Sequence, residues 1–398
     1  MIGKLRIRLQ AVSAVVALSG IAGVLQPAHA QSFKSLYAFA GGADGAYPYD
    51  RLARDAQGNL YGTTDGGGAF GYGTIFELTP SGVKTILYNF TGGTDGANPY
   101  SGLIFDAQRN AYGATTGGGD SNCNPAGTPT GCGVVYQLDR SGKETVLYTF
   151  TGAYDKGPDG AFPFGILHRD ASGNLYGTTQ AGGTGGAGVV FKVDPAGKET
   201  VLYTFTGYAD GSSPQCGVIL DSSGNLYGAA PSGGLGWGTV FKLDPSGHET
   251  VLYSFTGYAD GAHPYAGLLR DAKGNLYGTA IAGGAGQEGV VFKVDPSGHE
   301  TVLHSFSGIP PDGLTPFAGL LAGGGGTFYG ATTFGGTGGQ GIVYKLASKN
   351  NETVLYSFTG GADGQYPESA LIRDSAGNLY GTTTFGGLGY GTVYEITP

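Results

Sequence analysis

The sequence predicts an all-β fold, a seven-bladed β-propeller with four antiparallel strands per blade. Three observations lead there. A unit of about 51 residues recurs seven times, each copy holds four stretches of strand length, and each chain end carries the strand that the other lacks.

The repeat is marked by an aromatic residue followed by glycine, as in Leu60-Tyr61-Gly62, and the tyrosine returns at 112, 176, 227, 277, 329 and 380. Within a copy, Val251, Tyr253 and Phe255 alternate with Thr250, Leu252 and Ser254, the period-two pattern of a strand. Residues 266–271, 275–280 and 289–296 supply three more. Apolar residues stand on both faces, with Phe241 and Leu243 on one side and Val240 on the other, which suits sheets packed between neighbouring sheets. Asp271-Ala272-Lys273-Gly274-Asn275 and Asp295-Pro296-Ser297-Gly298-His299 are glycine-containing reversals that make hairpins. The glycine after each marker tyrosine fits a crowded strand on which another backbone approaches closely.

With residues 266–271 as the inner strand, each copy runs from inner to outer. An isolated outer strand, residues 35–39, then opens the domain, and a third strand, residues 392–396, ends it. If the first completes the last blade, the ring closes and neither sheet edge stays exposed.

Residues 1–30 read as a secretory signal peptide. Lys4, Arg6 and Arg8 precede an apolar stretch from Ala11 to Leu25, and Ala28-His29-Ala30 offers cleavage after Ala30. The expectation is a secreted or periplasmic single domain, residues 31–398, with no membrane contact after cleavage. Removing the signal leaves 18 basic against 30 acidic residues, a net charge of -12, which disfavours nucleic acid as a partner. Cys123 and Cys132 flank a short insertion and form a candidate disulfide, while Cys216 stands where a neighbouring copy has Ala266 and reads as a small buried residue.

The runs F-T-G-x-x-D-G-x-x-P, D-x-x-G-N-L-Y-G-T-T and G-G-x-x-G-x-G-T-V-F-K-L, spread over residues 33–398, resemble the secreted bacterial GloVer-type tandem-repeat family. The resemblance implies export and no established activity. The sorting or anchoring tail of many such proteins has no counterpart at Ile396-Thr397-Pro398.

The most uniform motif, Asp-Gly-x-x-Pro, places Asp44, Asp95, Asp159, Asp210, Asp260, Asp312 and Asp363 in the connections that lead from each outer strand to the next inner strand. Sevenfold repetition favours architecture, an Asx-type turn followed by a fixed proline, over a ring of ligand-binding carboxylates. Function is expected where copies differ. Two insertions, at residues 121–131 and around Tyr154, Asp155 and Lys156, flank neighbouring blades on one face and form the first-choice binding corner. Asp120, Asn122 and Asn124 imitate the start of an EF-hand loop, but Pro125 and Gly131 stand where glycine and a bidentate glutamate are required, so a polar turn is favoured over calcium. Trp237 belongs to the same face and suits stacking on a sugar ring or plain packing, since Tyr72 and Tyr390 take its place elsewhere.

The histidines have no metal-ligand spacing, and no nucleophile elbow or phosphate loop is present. No catalytic residue, metal or cofactor is singled out. The expectation is a monomeric, noncatalytic propeller that binds an extracellular glycan or protein through one loop face. The alternatives are a polysaccharide hydrolase or lyase with carboxylates in the central funnel, or a purely structural surface protein.

Overall fold

A computed structural model describes residues 31–123, 130–152, 157–347 and 351–398. The signal segment lies outside these residues. Seven antiparallel blades stand around one axis, six of four strands and the third of five because Ala161–Pro163 also pairs with its second strand. Gly313–Leu314 and Phe334–Gly335 form a separate two-stranded ladder, and all blades but the last run from inner to outer strand in chain order. The first runs Ala53–Arg54, Leu60–Thr64, Thr74–Leu78 and Lys84–Asn89. The sixth replaces the aspartate turn with a hairpin in which Gly324 pairs with Thr327.

The last sheet joins the two chain ends. Ser32–Ala38 pairs antiparallel with Thr392–Thr397, outside Leu379–Thr383 and Ile372–Arg373. This strand begins at Ser32, three residues earlier than the sequence pattern indicates, because Phe33 finds a partner: its ring stacks on Tyr356 with centroids 4.1 Å apart.

Alternation on the third strand explains the apolar residues on both faces. In the third blade, Phe191 and Val193 pack with Val135 and Phe150 of the blade before, whereas Val190 packs with Phe205 and Phe241 on the other side. Each interface is keyed by the phenylalanine that ends an outer strand, which sets its edge against the third-strand aromatic of the next blade. The pairs include Phe39 on Phe76 at 5.3 Å, Phe150 on Phe191 at 5.0 Å and Phe358 on Tyr394 at 5.1 Å. All six rings are fully buried.

That aromatic also corrects the reason for the marker glycine. A Cβ on Gly177 would stand 2.6 Å from the Phe191 ring, and one on Gly228 equally close to Phe241. The crowding neighbour is a side chain of the third strand, not another backbone.

The outer strands of five blades carry Glu144, Glu199, Glu249, Glu300 and Glu352 at their first or second position, each with a buried Oε1 that has no hydrogen-bond partner among the described residues. Burial, and then the charge of the aspartate in the loop entering the same blade, push each carboxyl from 4.5 up to about 7. The first blade has Lys84 in this place, and its Nζ meets Asp44 at 2.8 Å.

A carboxyl whose folded pKa lies above its unfolded value stabilises the fold fully below the unfolded value and loses that contribution as pH rises through about 7. The turn aspartates Asp106, Asp170 and Asp271 are held low by hydrogen bonds that outweigh burial, so their contribution disappears only below 3.8. Thermal melts should therefore peak near about pH 4.5 and fall by roughly 5 °C towards pH 8. Replacing the five glutamates with glutamine should flatten that decline, and an unaltered slope in the variant would assign it to other groups.

Candidate functional site

The aspartates of Asp-Gly-x-x-Pro face their own loops. Asp210 accepts hydrogen bonds from the Tyr203 hydroxyl at 3.0 Å, the Thr206 N–H at 2.7 Å and the Thr206 hydroxyl at 2.6 Å. Burial alone would raise its pKa, but these bonds outweigh it and hold the carboxyl below its usual range. Asp159, Asp260 and Asp363 repeat this set, and Asp95 does so with Tyr88 and Thr91. Asp44 bonds Tyr37, the Ala40 N–H and Lys84, and Asp312 bonds Ser307 with His304 in the tyrosine's place.

The residue before each proline carries the next level of organisation. Tyr47, Asn98, Phe162, Ser213, His263, Thr315 and Tyr366 all adopt left-handed backbone, with φ between 54° and 62°. The following proline disfavours the right-handed helical region, and a non-glycine residue in the left-handed one carries a cost of order 1 kcal/mol or more. Hydrogen bonds between blades offset it. Tyr47 donates its N–H to the Tyr390 carbonyl at 2.9 Å and His263 to the Trp237 carbonyl at 2.8 Å, while Phe162 donates to the Cys132 carbonyl at 2.9 Å. Every blade thus fixes the start of the next inner strand and turns one variable side chain onto the same face.

Immediately after the proline, Tyr49, Tyr100, Phe164, Gln215, Tyr265, Phe317 and Glu368 form a layer around the axis. Tyr49 meets Tyr100 at 4.8 Å and reaches Phe317 at 6.0 Å, Tyr100 meets Phe164 at 5.0 Å, and Tyr265 stacks on Phe317 at 5.3 Å. Gln215 and Glu368 interrupt the aromatics three blades apart. The layer belongs to an axial cavity of about 530 Å³ whose deeper wall includes Ile104, Ile166, Val218, Leu268 and Leu320. Aromatic and aliphatic side chains share its wall with the polar and charged groups of Asp50, Arg51, His168, Arg169, Gln215 and Glu368.

Its carboxylates are desolvated. Asp50 accepts the N–H groups of Arg51 at 2.6 Å and of Gly102 at 2.7 Å, yet burial wins and raises its pKa. Burial likewise raises Glu368 against the pull of the Thr384 and Thr333 hydroxyls. Just behind the layer, burial pushes Asp65 up to about 6, and its Oδ1 has no partner in hydrogen-bonding geometry among the described residues. Burial, then Asp65 and Glu368, push Tyr100 up to about 12. This end of the axis is electronegative.

Around the mouth, a second set of rings runs across the junction where the chain ends meet. Phe334 contacts Tyr366 at 4.9 Å, Tyr366 contacts Phe385 at 5.8 Å, and Tyr47 contacts Phe385 at 5.1 Å and Tyr390 at 6.0 Å. Phe334, Phe385 and Tyr390 are 38%, 36% and 37% exposed. Among the described residues, all the exposed large apolar side chains except Val83 and Phe105 belong to this loop face.

The residues singled out in sequence distribute as follows. Cys123 and Cys132 form a disulfide, and Cys132 occupies the place that Tyr72, Trp237 and Tyr390 hold elsewhere. Asp120 Oδ1 accepts both the backbone and the side-chain N–H of Asn122, at 2.9 and 3.0 Å, an Asx turn. Asn124, Tyr154, Asp155 and Lys156 lie outside the described residues. Trp237 lies over Gly257, where an added Cβ would stand 2.4 Å from the indole, and is still 42% exposed beside His263. Among the described residues no group of three or more His, Cys, Asp or Glu is placed to hold a metal. Cys216 is buried, with its thiol raised to about 11 by burial. The axial layer and the ring of residues before the prolines were missed in sequence, although both appear there as the variable positions inside an otherwise fixed run.

A family model described as Gloeobacter/Verrucomicrobia repeat matches residues 20–128 and 123–326. No curated protein sequence matches the chain. Among solved structures, virginiamycin B lyase from Staphylococcus aureus superposes with a TM-score of 0.59 at 16% identity, over 93% of this chain and 99% of that one. A catalytically inactive form of that enzyme with Quinupristin gives 0.62 at 15% identity, over 93% and 100%. The extracellular domain of a hybrid two component system from B. thetaiotaomicron gives 0.57 at 12% identity, covering 92% of this chain and 39% of that one. At these identities the likeness concerns the fold.

The walls of the cavity are fixed where inner strands touch. A Cβ on Gly217 would stand 2.1 Å from the Ile166 carbonyl oxygen, whereas one on Gly267, its counterpart in the next blade, meets nothing within 4 Å. Gly217→Ala should destabilise the protein by roughly 1–3 kcal/mol in denaturant unfolding while Gly267→Ala leaves it unchanged. Equal effects would contradict the crowding at the axis.

Proposed function

The chain belongs to the Gloeobacter/Verrucomicrobia repeat family, and from that premise we propose that it is an exported, noncatalytic propeller that binds glycan through its loop face. One observation carries the reading, the aromatic arc in which exposed Phe334, Phe385 and Tyr390 are joined through the half-buried rings of Tyr366 and Tyr47. Aromatic faces stack on the C–H faces of sugar rings, and a chain of neighbouring rings on a rigid scaffold suits an extended saccharide. The arc spans three blades and is assembled only when the ends of the chain meet.

Export is supported by the signal-like residues 1–30 and by the disulfide, which suits an oxidising compartment. No helix among the described residues is long and apolar enough to cross a membrane. The insertion corner with Asp120, Asn122 and the disulfide is the competing surface on the same face.

An array of neutral and charged polysaccharides, probed with the chain from residue 31, tests the reading. A neutral glycan should be retained, the double variant Phe385→Ala, Tyr390→Ala should lose roughly tenfold in affinity, and trimming residues 121–131 should have no effect. Retention that survives the double variant but not the trimming would move the site to the insertion corner. Retention of no glycan would overturn the proposal.

A further inference from the structure

We infer that the axial cavity is a second site, separate from the aromatic arc, and that it takes an organic ammonium ion. Three features on the cavity wall converge on that chemistry. Tyr49, Tyr100, Phe164, Tyr265 and Phe317 surround the axis with π systems, whose negative faces attract a cation. Glu368 enters the same layer between Phe317 and Tyr49 in blade order and offers a carboxylate, and Gln215, three blades away, offers an amide. Below them the wall turns aliphatic through Ile166, Val218 and Leu268, so the hydrocarbon part of such an ion has somewhere to be buried.

The charge balance favours a cation over a neutral molecule. Asp50, Asp65 and Glu368 gather at this end of the axis, and no ion pair among the described residues involves any of them. The basic side chains on the wall offset this negative charge only in part, since Arg51 lowers the pKa of the neighbouring Asp50 and neither Asp65 nor Glu368 has such a partner among the described residues. Arg51 is exposed, and Arg169 lies over the Tyr112 ring, 5.3 Å from its centroid, at the end of the inner strand beside the turn of the opposite face. His168, beside it, belongs to that same end. An ammonium ion at the aromatic layer supplies the missing counter-charge while leaving the aromatic stacking intact.

The inference does not rest on the glycan reading, and its test keeps the two apart. Benzylammonium and benzyl alcohol, similar in shape and different in charge, are titrated calorimetrically into the chain from residue 31 at neutral pH and low salt. Benzylammonium should bind at least about tenfold more tightly than the alcohol. Glu368→Gln should abolish that discrimination with the alcohol's affinity unchanged, and Gln215→Glu should increase it. Phe385→Ala, on the arc, should alter neither. Equal affinities for the two probes, no binding of either at millimolar concentration, or discrimination that persists in Glu368→Gln would overturn the inference. Should Glu368→Gln fail to fold, the Gln215→Glu arm decides alone, with unchanged discrimination counting against the site.

Discussion

The edge of one phenylalanine against the face of the next blade's aromatic is the contact on which the rest of the structure depends. Phe90 on Tyr136, Phe205 on Phe241, Phe255 on Phe292 and Phe306 on Tyr344 repeat it around the ring at 5.1 to 5.3 Å. The glycine of the second strand leaves room for the aromatic, which otherwise meets a Cβ at well under 3 Å. Repetition alone makes an open arc of blades. Phe39, carried in by the N-terminal strand, provides the pair with Phe76 that turns the arc into a ring.

Closure determines what the face can do. Hydrogen bonds from the residue before each proline to the preceding blade hold the inner strands in register with one another, and the strands come close enough for Gly165 and Gly217 to meet backbone to backbone. Side chains that follow the prolines are thereby aimed at one axis, and those that precede them surround it. A scaffold this repetitive positions seven residues equivalently, so chemistry enters through substitution at fixed places: Glu368 and Gln215 in the aromatic layer, Cys132 in the row of Tyr72 and Trp237, and Lys84 in the row of buried glutamates.

Most of the architecture was legible because its causes are local. Alternation identified the strands, turn residues separated them, and the unpaired strands at the two ends implied closure. The seven loop aspartates, expected as Asx-type turn residues, accept hydrogen bonds from groups at or near the end of the preceding outer strand, such as Tyr203 and Thr206 for Asp210. The cause of the marker glycine was not legible, since the ring that crowds it lies on a different strand. Nor was the axial layer. Tyr49 or Phe317 reads as one more turn residue until seven inner strands are known to converge, and the arc from Phe334 to Tyr390 requires blades at opposite ends of the chain to be neighbours. Sequence reasoning favoured the insertions because length differences are visible in one dimension, whereas substitutions inside a conserved spacing become spatial only after the ring is built.

The measurement that bears most directly on this account is thermal unfolding of a chain that lacks residues 31–39, with and without a peptide of that sequence added in trans. Ring closure through Phe39 and the Ser32–Ala38 ladder predicts a lower, broader transition for the shortened chain and recovery of a single sharp one when the peptide is present. An equally cooperative transition at the parent temperature without the peptide would contradict it.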